Sequence, residues 1–460
     1  MRDHALVVGG GVCGLMASIE LKKYFKKVTL IEQSHELGGL FRSVKDELGN
    51  YYDMGSHIPN ATTIEPLDEL LFGPENERAT RWNIIRKLNS GNYFAGQWDL
   101  NSPFANGQRL PESIYRKGCE ELIQLTETPN SQFIVEYCQK SLGSTFTNHI
   151  VKPILKKLYG HHVNLDTLTM AAGLFGFTRI LALSPDVADV LKQLPVFDAK
   201  LGYQNEKHFL ARLAREAHLQ PPHYFYPIDN SGIQSWVDYL EQKARAVGVE
   251  IKLNEAVEKI ALDNGQVTTV KLASQPQTLD TQLLFWSAPP FIALKAMNLP
   301  VVSNKPVLRT ALVFHYSVDK PLLDDRSHYL WIWDDSTAIF RVTLYPNLSP
   351  ESTSHTISAE VLCAPEEAEQ YSKEDIFNTL KRLELIALDA NCLSSIKQVI
   401  HNTFPVPSSE FETGNAENYH TLSENVSNVI VSGRSGGKQW RQADVLVAAY
   451  NAIQAFVKAG

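Results

Sequence analysis

Apolar runs and polar segments alternate at the start of the chain in an order that predicts a strand, a helix and a second strand. Residues 5–8 form a continuous apolar run, which is typical of a strand buried on both faces. Residues 15–25 are amphipathic, with lysines on the outer face and at the end, and therefore predict a helix. Residues 28–31 form a second apolar run. The pattern predicts a βαβ unit.

Glycines fill the turn between the first strand and the helix at a spacing that suits a dinucleotide. Gly9 permits the sharp turn, Gly11 lets the backbone approach a pyrophosphate, and Gly14 lets the helix pack close to the sheet. Glu32 ends the second strand at the spacing, about twenty residues on, where an acid binds the ribose hydroxyls. Small residues also occur at ordinary strand-to-helix turns, so the glycines alone do not decide the function. The predicted cofactor contacts also include the neighbouring residues Val12, Cys13 and Gln33.

The pattern changes several times beyond this unit and predicts further domains. Residues 62–222 are mostly helical, so we expect a helical cap inserted into the dinucleotide-binding domain. Residues 223–304 return to strands and a helix, and residues 408–460 end in a strand, a glycine-rich loop and a helix. Residues 305–407 alternate, with one helix at 373–388, and predict an antiparallel sheet facing the substrate. The predicted fold class is α/β, with a discontinuous Rossmann-like domain made of residues 1–61, 223–304 and 408–460.

The composition narrows the classes of protein. The chain has 460 residues, 44% hydrophobic content and a net charge of −8, which suits a globular protein of several domains. This charge offers no basic field for nucleic acid, so we expect no nucleic-acid partner. The five cysteines are scattered and odd in number, which indicates a reducing, cytoplasmic location. We expect no targeting segment and no transmembrane segment, because the longest apolar region, residues 170–183, is too short to span a bilayer.

Three histidines, His149, His161 and His162, invite a metal-binding interpretation. Adjacent histidine side chains point apart, however, and no carboxylate falls at a zinc-like spacing. We therefore predict no metal site.

A second glycine pair, Gly38 and Gly39, follows the acid and is continued by Leu40. This extension resembles the FAD-binding signature of the superfamily of amine oxidases, protoporphyrinogen oxidases and UDP-galactopyranose mutases. The resemblance implies FAD as the cofactor and makes the discontinuous Rossmann-like domain an FAD-binding domain. A flexible surface turn is the alternative interpretation of these glycines.

Two further segments resemble the UDP-galactopyranose mutases in particular. Residues 55–58 are similar to the loop whose histidine lies against the flavin ring, which implies that His57 acts there as a hydrogen-bond partner or as an acid or base. The strand around Arg341 is similar to the eukaryotic mutase segment in which an arginine binds the substrate diphosphate. A turn histidine with ordinary hydrogen bonds and a solvent-facing strand arginine are the alternatives that the sequence leaves open.

The C-terminal segment also resembles the mutase signature. Gly433 and Arg434 follow a strand and precede a glycine-rich loop, and the resemblance implies that Arg434 binds the FAD pyrophosphate. The final helix, which begins near Asp444, is expected to direct its positive end at the flavin pyrimidine and to favour the anionic reduced ring. The resemblance also implies FAD contacts at Val257, near the adenine, and at Val445.

The chain departs from the mutase pattern where the substrate diphosphate binds. The mutases use two tyrosine hydroxyls and arginines there, whereas this chain has Phe404 and Trp440 in place of the tyrosines and Phe225 in place of an arginine. Each charged hydrogen bond of this kind contributes about 1.5–3 kcal/mol, so their loss weakens the binding of an unchanged substrate by orders of magnitude. Lys438 and Arg441 are candidates to replace these groups. The alternative is that both face solvent.

Three functions follow from these observations. In the first, the chain is an FAD-dependent oxidoreductase whose flavin takes a hydride from a small polar substrate, such as a sugar or a nucleotide sugar. In the second, it is a mutase-like isomerase whose reduced FAD attacks an anomeric carbon without net redox change. In the third, it binds FAD without catalysis. The depleted diphosphate-binding groups favour the first function, with His57 and Arg341 as the predicted catalytic residues. The sequence leaves the oligomeric state open.

Overall fold

A parallel sheet carries the N-terminal strand-helix-strand unit. In the computed structural model, which describes residues 1–215, 223–302, 306–435 and 438–459, five strands form this sheet, and all their pairings are parallel. Both faces of its central strands are covered, which explains why these strands are continuously apolar. The order of the strands across the sheet is Val429–Val431, Leu283–Trp286, Arg2–Val8, Phe25–Ile31 and Glu250–Lys252.

Helices cover one face of the parallel sheet, and a small antiparallel sheet with two helices covers the other. The first face packs against Val12–Leu21, Gln234–Ala246 and the final helix Gln442–Lys458. The second face packs against the helices Pro290–Ala296 and Ser409–Asn425. The strands of the small sheet are Val257–Asp263, Gln266–Leu272 and Thr278–Asp280.

A second large sheet contains seven strands within the described ranges. Their pairings are antiparallel except for one parallel pair, Tyr329–Ile332 with Ser90–Phe94. One face packs on the helix Lys373–Arg382, and the other packs on the cap helices. The order of the strands is Cys392–Pro405, Leu308–Val318, His355–Cys363, Ile339–Leu344, Tyr329–Ile332, Ser90–Phe94 and Gln97–Asp99.

Short elements complete the fold. Two strand pairs lie outside the larger sheets, Ser43–Lys45 with Tyr51–Asp53 and Trp82–Ile85 with Tyr224–Pro227. The α-helices of the cap are Glu112–Gln124, Ile134–Leu142, Ser144–Phe146, Lys152–Tyr159, Pro185–Leu191, Pro195–Lys200 and Glu206–Arg215. The remaining α-helices are Glu65–Phe72, Glu75–Arg78 and Tyr345–Leu348. The 3-10 and π segments are Gly39–Phe41, Gly107–Arg109, Thr147–Val151, Leu165–Thr167, Met170–Phe175 and Pro365–Gln370.

The prediction of a mostly helical segment over residues 62–222 is wrong for residues 82–99. This part contains Trp82–Ile85, Ser90–Phe94 and Gln97–Asp99, and the last two strands are joined by a turn at Ala95 and Gly96. Both turn residues have positive φ, 51° and 75°, which is the geometry of a two-residue hairpin. The hairpin pairs with a strand that is distant in sequence, so local periodicity does not reveal it.

Two other predicted boundaries differ, and one strand has no counterpart in the prediction. The helix predicted over 15–25 runs from Val12 to Leu21, and Phe25 already begins the next strand. The helix predicted over 373–388 ends at Arg382, because Glu384 adopts a left-handed φ of 56°. The strand Cys392–Pro405 was not predicted, because it lies at the edge of its sheet and polar residues interrupt its apolar pattern. The predicted domain boundaries after residues 222 and 304, and residues 436 and 437 of the C-terminal loop, lie outside the described residues.

Candidate functional site

The turn after the first strand has the geometry that only its glycines allow. Gly9 has a φ of +102°, a conformation that strains other L residues. A Cβ on Gly14 would lie 1.9 Å from the carbonyl oxygen of Gly9, so the helix can approach the turn only with glycine there. A Cβ on Gly11 would meet no atom within 4 Å, so its Cα faces open space. The turn, the close packing and the open backbone surface match the three predicted roles.

The second glycine pair faces this open surface. Gly38 donates its N–H to the carbonyl oxygen of Gly10 at 2.9 Å. A Cβ on Gly39 would lie 3.5 Å from the Cα of Gly11, and the following Leu40 is half-buried. The two loops therefore face each other at the N-terminus of the first helix, where phosphates bind readily. We call the following residues the glycine cradle: Gly9, Gly11, Gly14, Gly38 and Gly39.

Glu32 lies beside the glycine cradle. Its carboxylate accepts hydrogen bonds from the backbone N–H of Gly10 at 2.6 Å and of Ser34 at 2.8 Å. Its carbonyl oxygen accepts a hydrogen bond from the N–H of Glu255 at 2.9 Å, which brings the nearby Val257 to the same end of the site. The acid therefore lies where the ribose of a bound dinucleotide is expected.

The other predicted contacts of the first turn differ in accessibility. Val12 is buried, Cys13 is half-buried and Gln33 is exposed. Burial raises the pKa of the Cys13 thiol to about 12, although a hydrogen bond with Ser432 acts in the opposite direction. Cys13 is therefore a neutral thiol and not a nucleophile at neutral pH.

The last strand ends at the same edge of the parallel sheet. Gly433 has a φ of +92°, and a Cβ on it would lie 2.9 Å from the carbonyl oxygen of Ser287. At the start of the final helix, the Oε1 of Gln442 accepts a hydrogen bond from the N–H of Asn60 at 3.1 Å. Within the described residues, the buried Nε2 of Gln442 has no acceptor. A buried amide of this kind is a candidate donor to a bound group.

His57 is half-buried, and its ring centroid is 5.3 Å from that of Phe41. Its Nδ1 is 3.1 Å from the carbonyl oxygen of Gly55. Because a carbonyl only accepts, Nδ1 carries the proton in this bond, and Nε2 of the neutral ring is left as an acceptor. Desolvation, assisted by the charges of Arg341 and Arg434, lowers the pKa of His57 to about 3. The imidazole is therefore neutral near pH 7.

Arg341 forms an ion pair with an acid that the sequence analysis missed. Its Nε and Nη2 donate to the two carboxylate oxygens of Glu360, each at 2.7 Å. The Oε1 of Glu360 also accepts a hydrogen bond from the N–H of Ser56 at 3.1 Å. The Arg341 and Glu360 side chains are only 17% and 6% exposed. Arg341 is thus a half-buried ion-pair residue and not a solvent-facing strand arginine.

A β-bulge directs Arg341 to this acid. Between Ile339 and Arg341 the pairing advances two residues, while the partner strand advances one, from Val361 to Glu360. The extra residue places Phe340 and Arg341 on the same face of the sheet. With regular alternation, Arg341 would share the face of Ile339, which packs in the core behind the sheet.

An aromatic cluster surrounds Arg341 and Arg434. The guanidinium carbon of Arg434 lies 3.9 Å from the ring centroid of Trp440 and 5.4 Å from that of Phe404. Desolvation, with the charge of Arg341, lowers the pKa of Arg434 to about 10, so Arg434 remains charged near pH 7. Neighbouring rings of this cluster have centroids 4.8–6.4 Å apart. The aromatic cluster consists of Phe175, Trp331, Trp333, Phe340, Phe404 and Trp440.

Two predicted substrate contacts lie elsewhere. The ring of Phe225 stacks on Phe72 at a centroid distance of 4.1 Å and is 2% exposed, so it belongs to the core that packs against the parallel sheet. We therefore no longer propose Phe225 as a substrate contact. Lys438 is exposed to solvent, and its Nζ lies 4.9 Å from the ring centroid of Tyr419, which belongs to the helix Ser409–Asn425.

The first turn of the final helix contains three other predicted residues. Arg441 is the N-cap and is exposed, Asp444 is exposed, and Val445 is buried. The exposed Asp444 lies where a negative charge complements the helix dipole. The backbone N–H groups of this turn and the side chains of Arg441 and Gln442 are thus the groups suited to contact an anionic or carbonyl group.

Glu360 could have been found from the sequence. It is a single acid within the apolar run of residues 357–363, and an acid buried in a strand requires a partner. The aromatic cluster has no comparable local signal, because its members come from the cap, from three strands and their ends, and from the C-terminal loop. Over the described ranges, no three His, Cys, Asp or Glu side chains are grouped as metal ligands. No helix there has the length and apolar character needed to cross a bilayer.

Comparisons with known proteins agree with this geometry. Residues 7–70 match the family model of the NAD(P)-binding Rossmann-like domain. Among curated proteins, 4,4'-diaponeurosporene oxygenase of Staphylococcus aureus (strain USA300) is 26% identical over 286 residues, which cover 59% of this chain and 53% of the relative. The chain thus spans about half the length of this relative.

Solved structures match nearly the whole chain. Reduced UDP-galactopyranose mutase superimposes with a TM-score of 0.75 at 17% identity, covering 99% of this chain and 96% of the other. A proposed protoporphyrinogen oxidase from Exiguobacterium sp. 255-15 gives 0.69 at 14% identity, with 100% of both chains covered. Putrescine oxidase bound to putrescine gives 0.60 at 13% identity, also with 100% of both chains covered. The chain therefore shares its overall fold with UDP-galactopyranose mutase and with these oxidase structures, which confirms the predicted fold class and agrees with the predicted resemblance.

Proposed function

We propose that the chain is an FAD-dependent oxidoreductase that acts on a small molecule. The observation that carries this proposal is the open space over the Cα of Gly11, beside Gly39 and at the carboxyl edge of the parallel sheet. The buried amide of Gln442 also fits FAD, because it has no acceptor in the described part of the chain and flavins carry ring carbonyls.

Each part of FAD has a candidate partner in this chain. The backbone of the glycine cradle and the charged Arg434 would hold the pyrophosphate, and Glu32 would hold the ribose. Val257 would contact the adenine. The backbone of Asp444 and Val445, at the positive end of the final helix, would contact the flavin pyrimidine.

The chain's own residues orient the substrate and supply its surroundings. Bound FAD supplies the hydride acceptor. The neutral His57 has its Nδ1–H bound to Gly55, so its Nε2 can accept a hydrogen bond from a substrate hydroxyl or amine and orient that group. The aromatic cluster would exclude water from the reacting atoms.

We further propose a small polar substrate, such as a sugar or a nucleotide sugar. Support comes from Arg341 and Arg441, which can bind oxygen-rich groups. The named relatives act on molecules as different as 4,4'-diaponeurosporene and putrescine, so the fold alone does not indicate the class of substrate.

A second candidate function is a mutase-like isomerisation that uses reduced FAD. It is favoured by the superposition on reduced UDP-galactopyranose mutase and by the position of Arg341 beside the His57 loop. A third candidate, FAD binding without catalysis, would require His57 and Arg341 to tolerate substitution without loss of function.

The test is anaerobic incubation of purified holoprotein, oxidised or reduced with dithionite, with a panel of sugar nucleotides and amines. An oxidoreductase loses its oxidised flavin absorbance with a substrate, and the His57→Asn variant should bind FAD but bleach far more slowly. A mutase instead interconverts sugar nucleotides only after reduction. Protein that neither contains FAD nor takes it up contradicts all three functions.

Two further assignments remain proposals. We propose the domain division given above, with the hairpin of residues 90–99 moved from the cap to the sheet domain, because it pairs there. We also propose a cytoplasmic location, supported by the five cysteines, all of which are free thiols.

A further inference from the structure

Glu360 occupies an unusual position between the two catalytic candidates. One carboxylate oxygen accepts hydrogen bonds from Arg341 and from the backbone N–H of Ser56, which precedes His57. The other accepts a second bond from Arg341. A Cβ on Gly55 would lie 2.7 Å from this carboxylate, so glycine is required where the loop meets the acid. One buried side chain thus joins the His57 loop to Arg341.

The charges near His57 show what this acid changes. Arg341 is neutralised by Glu360, while Arg434 has no carboxylate partner among the residues that the structure describes. His57 itself is neutral. The local net charge is therefore one positive charge with Glu360 present and two without it.

We infer that Glu360 is a positioning residue that fixes the His57 loop against Arg341 and lowers the positive charge beside the bound flavin. This inference rests on the proposed function, because it assumes that FAD lies against His57. Nearby positive charge stabilises an anionic reduced flavin, whereas it stabilises the neutral oxidised ring only slightly. Glu360 therefore holds the flavin reduction potential below the value that an unpaired Arg341 would give.

The first experiment measures the reduction potential of the FAD-loaded protein. Glu360→Gln keeps the shape of the side chain and removes its charge. The ratio of the affinity for reduced FAD to the affinity for oxidised FAD should therefore be at least tenfold higher in this variant than in the wild type. This corresponds to a rise of about 30 mV for a two-electron couple. Arg341→Gln should lower the potential, and the double variant should return close to the wild-type value, because both charges are then absent.

A matched control uses another acid. Glu121 accepts hydrogen bonds from the backbone and side chain of Thr145, within the cap. Glu121→Gln should leave the flavin potential unchanged. An unchanged potential in Glu360→Gln, or equal potentials in Glu360→Gln and the double variant, would overturn the electrostatic part of the inference while leaving the proposed function intact.

A second measurement does not need FAD. In the apoprotein, Glu360→Asp keeps the charge but shortens the side chain, so the Ser56 amide should exchange its hydrogen at least tenfold faster. Unchanged protection at Ser56 would overturn the positioning role. If the wild-type protein binds no FAD, the proposed function and the electrostatic part fail together, while Ser56 exchange still decides the positioning part.

Discussion

The glycine cradle and the aromatic cluster are built in different ways. In the cradle, the decisive property at Gly9, Gly11 and Gly14 is the missing Cβ, and the contacts come from the backbone. In the cluster, side chains from distant segments meet around Arg341 and Arg434. A site made of backbone contacts restricts the residue types that can occupy it, whereas a site made of side chains can change its chemistry on an unchanged fold. The difference explains why the sequence predicts a dinucleotide cofactor but leaves the substrate open.

The largest expected effect distinguishes Gly14, which is needed for packing, from Gly11, which is assigned to cofactor binding. Gly14→Ala should destabilise the apoprotein by about 3 kcal/mol or more, because the new Cβ would lie 1.9 Å from a backbone oxygen. Gly11→Ala, where the new Cβ meets no atom within 4 Å, should leave the apoprotein stability unchanged and weaken FAD binding. Chemical unfolding and flavin fluorescence titration measure the two quantities. Equal stability losses in both variants would contradict the assignment of Gly11 to the cofactor.

The next prediction concerns Asp53, a buried acid outside both regions. Its carboxylate accepts hydrogen bonds from Tyr226, Ser43 and the N–H of Ile233, and its own N–H donates to the hydroxyl of Tyr345, at the end of a strand of the large sheet. Burial raises the pKa of Asp53 from 3.8 to about 6, although these hydrogen bonds lower it.

The raised pKa makes stability depend on pH with a definite sign. Between pH 3.8 and about 6 the unfolded chain releases this proton and the native protein retains it. The stability contributed by protonated Asp53 is therefore present at low pH and lost as pH rises through about 6, by about 1.4 kcal/mol per pH unit. Asp53→Asn should remove this fall, as measured by urea unfolding across the pH range. An unchanged pH dependence would show that Asp53 is ionised in the native protein.

A smaller effect is expected at Arg434, which belongs to both regions. Its guanidinium lies in the aromatic cluster, while the resemblance assigns it to the pyrophosphate of FAD. Arg434→Ala should weaken FAD binding by about 2 kcal/mol, or roughly thirtyfold, the value of a charged hydrogen bond. Arg116→Ala, on an exposed part of a cap helix, is the control and should leave the affinity for FAD unchanged. If Arg434→Ala binds FAD normally but loses its substrate affinity, Arg434 belongs to the substrate side alone.

The sequence predicted the parts of the fold that depend on local rules. The βαβ unit and the roles of Gly9, Gly11 and Gly14 follow from backbone geometry at a fixed spacing. The hairpin of residues 90–99 was missed because it pairs with a strand that is distant in the chain. Glu360 has a local signal, as an acid in an apolar run, but its pairing with Arg341 depends on the strand register and on the bulge, which the sequence pattern does not reveal. The same reason explains Phe225, which the resemblance assigned to the substrate although its ring packs on Phe72 in the core.

The smallest expected effect tests whether the aromatic cluster retains the geometry of a diphosphate-binding site. Phe404 and Trp440 stand where the resemblance expects tyrosines, and their rings still contact each other at a centroid distance of 6.0 Å. Phe404→Tyr restores one hydroxyl near Arg434, so UDP should bind about fivefold more tightly, which corresponds to about 1 kcal/mol. Isothermal calorimetry of the FAD-loaded protein measures this affinity.

The control for this prediction is a tyrosine without a known site contact. Tyr137→Phe, in the packing of the cap, should leave UDP affinity unchanged. Tighter binding in Phe404→Tyr alone would show that the diphosphate geometry persists and that only its donors are missing, which favours a nucleotide-sugar substrate. If Phe404→Tyr does not improve UDP binding, the cluster is arranged for a different ligand, because Glu360 already accepts two hydrogen bonds from Arg341 and makes this arginine a weaker partner for a phosphate.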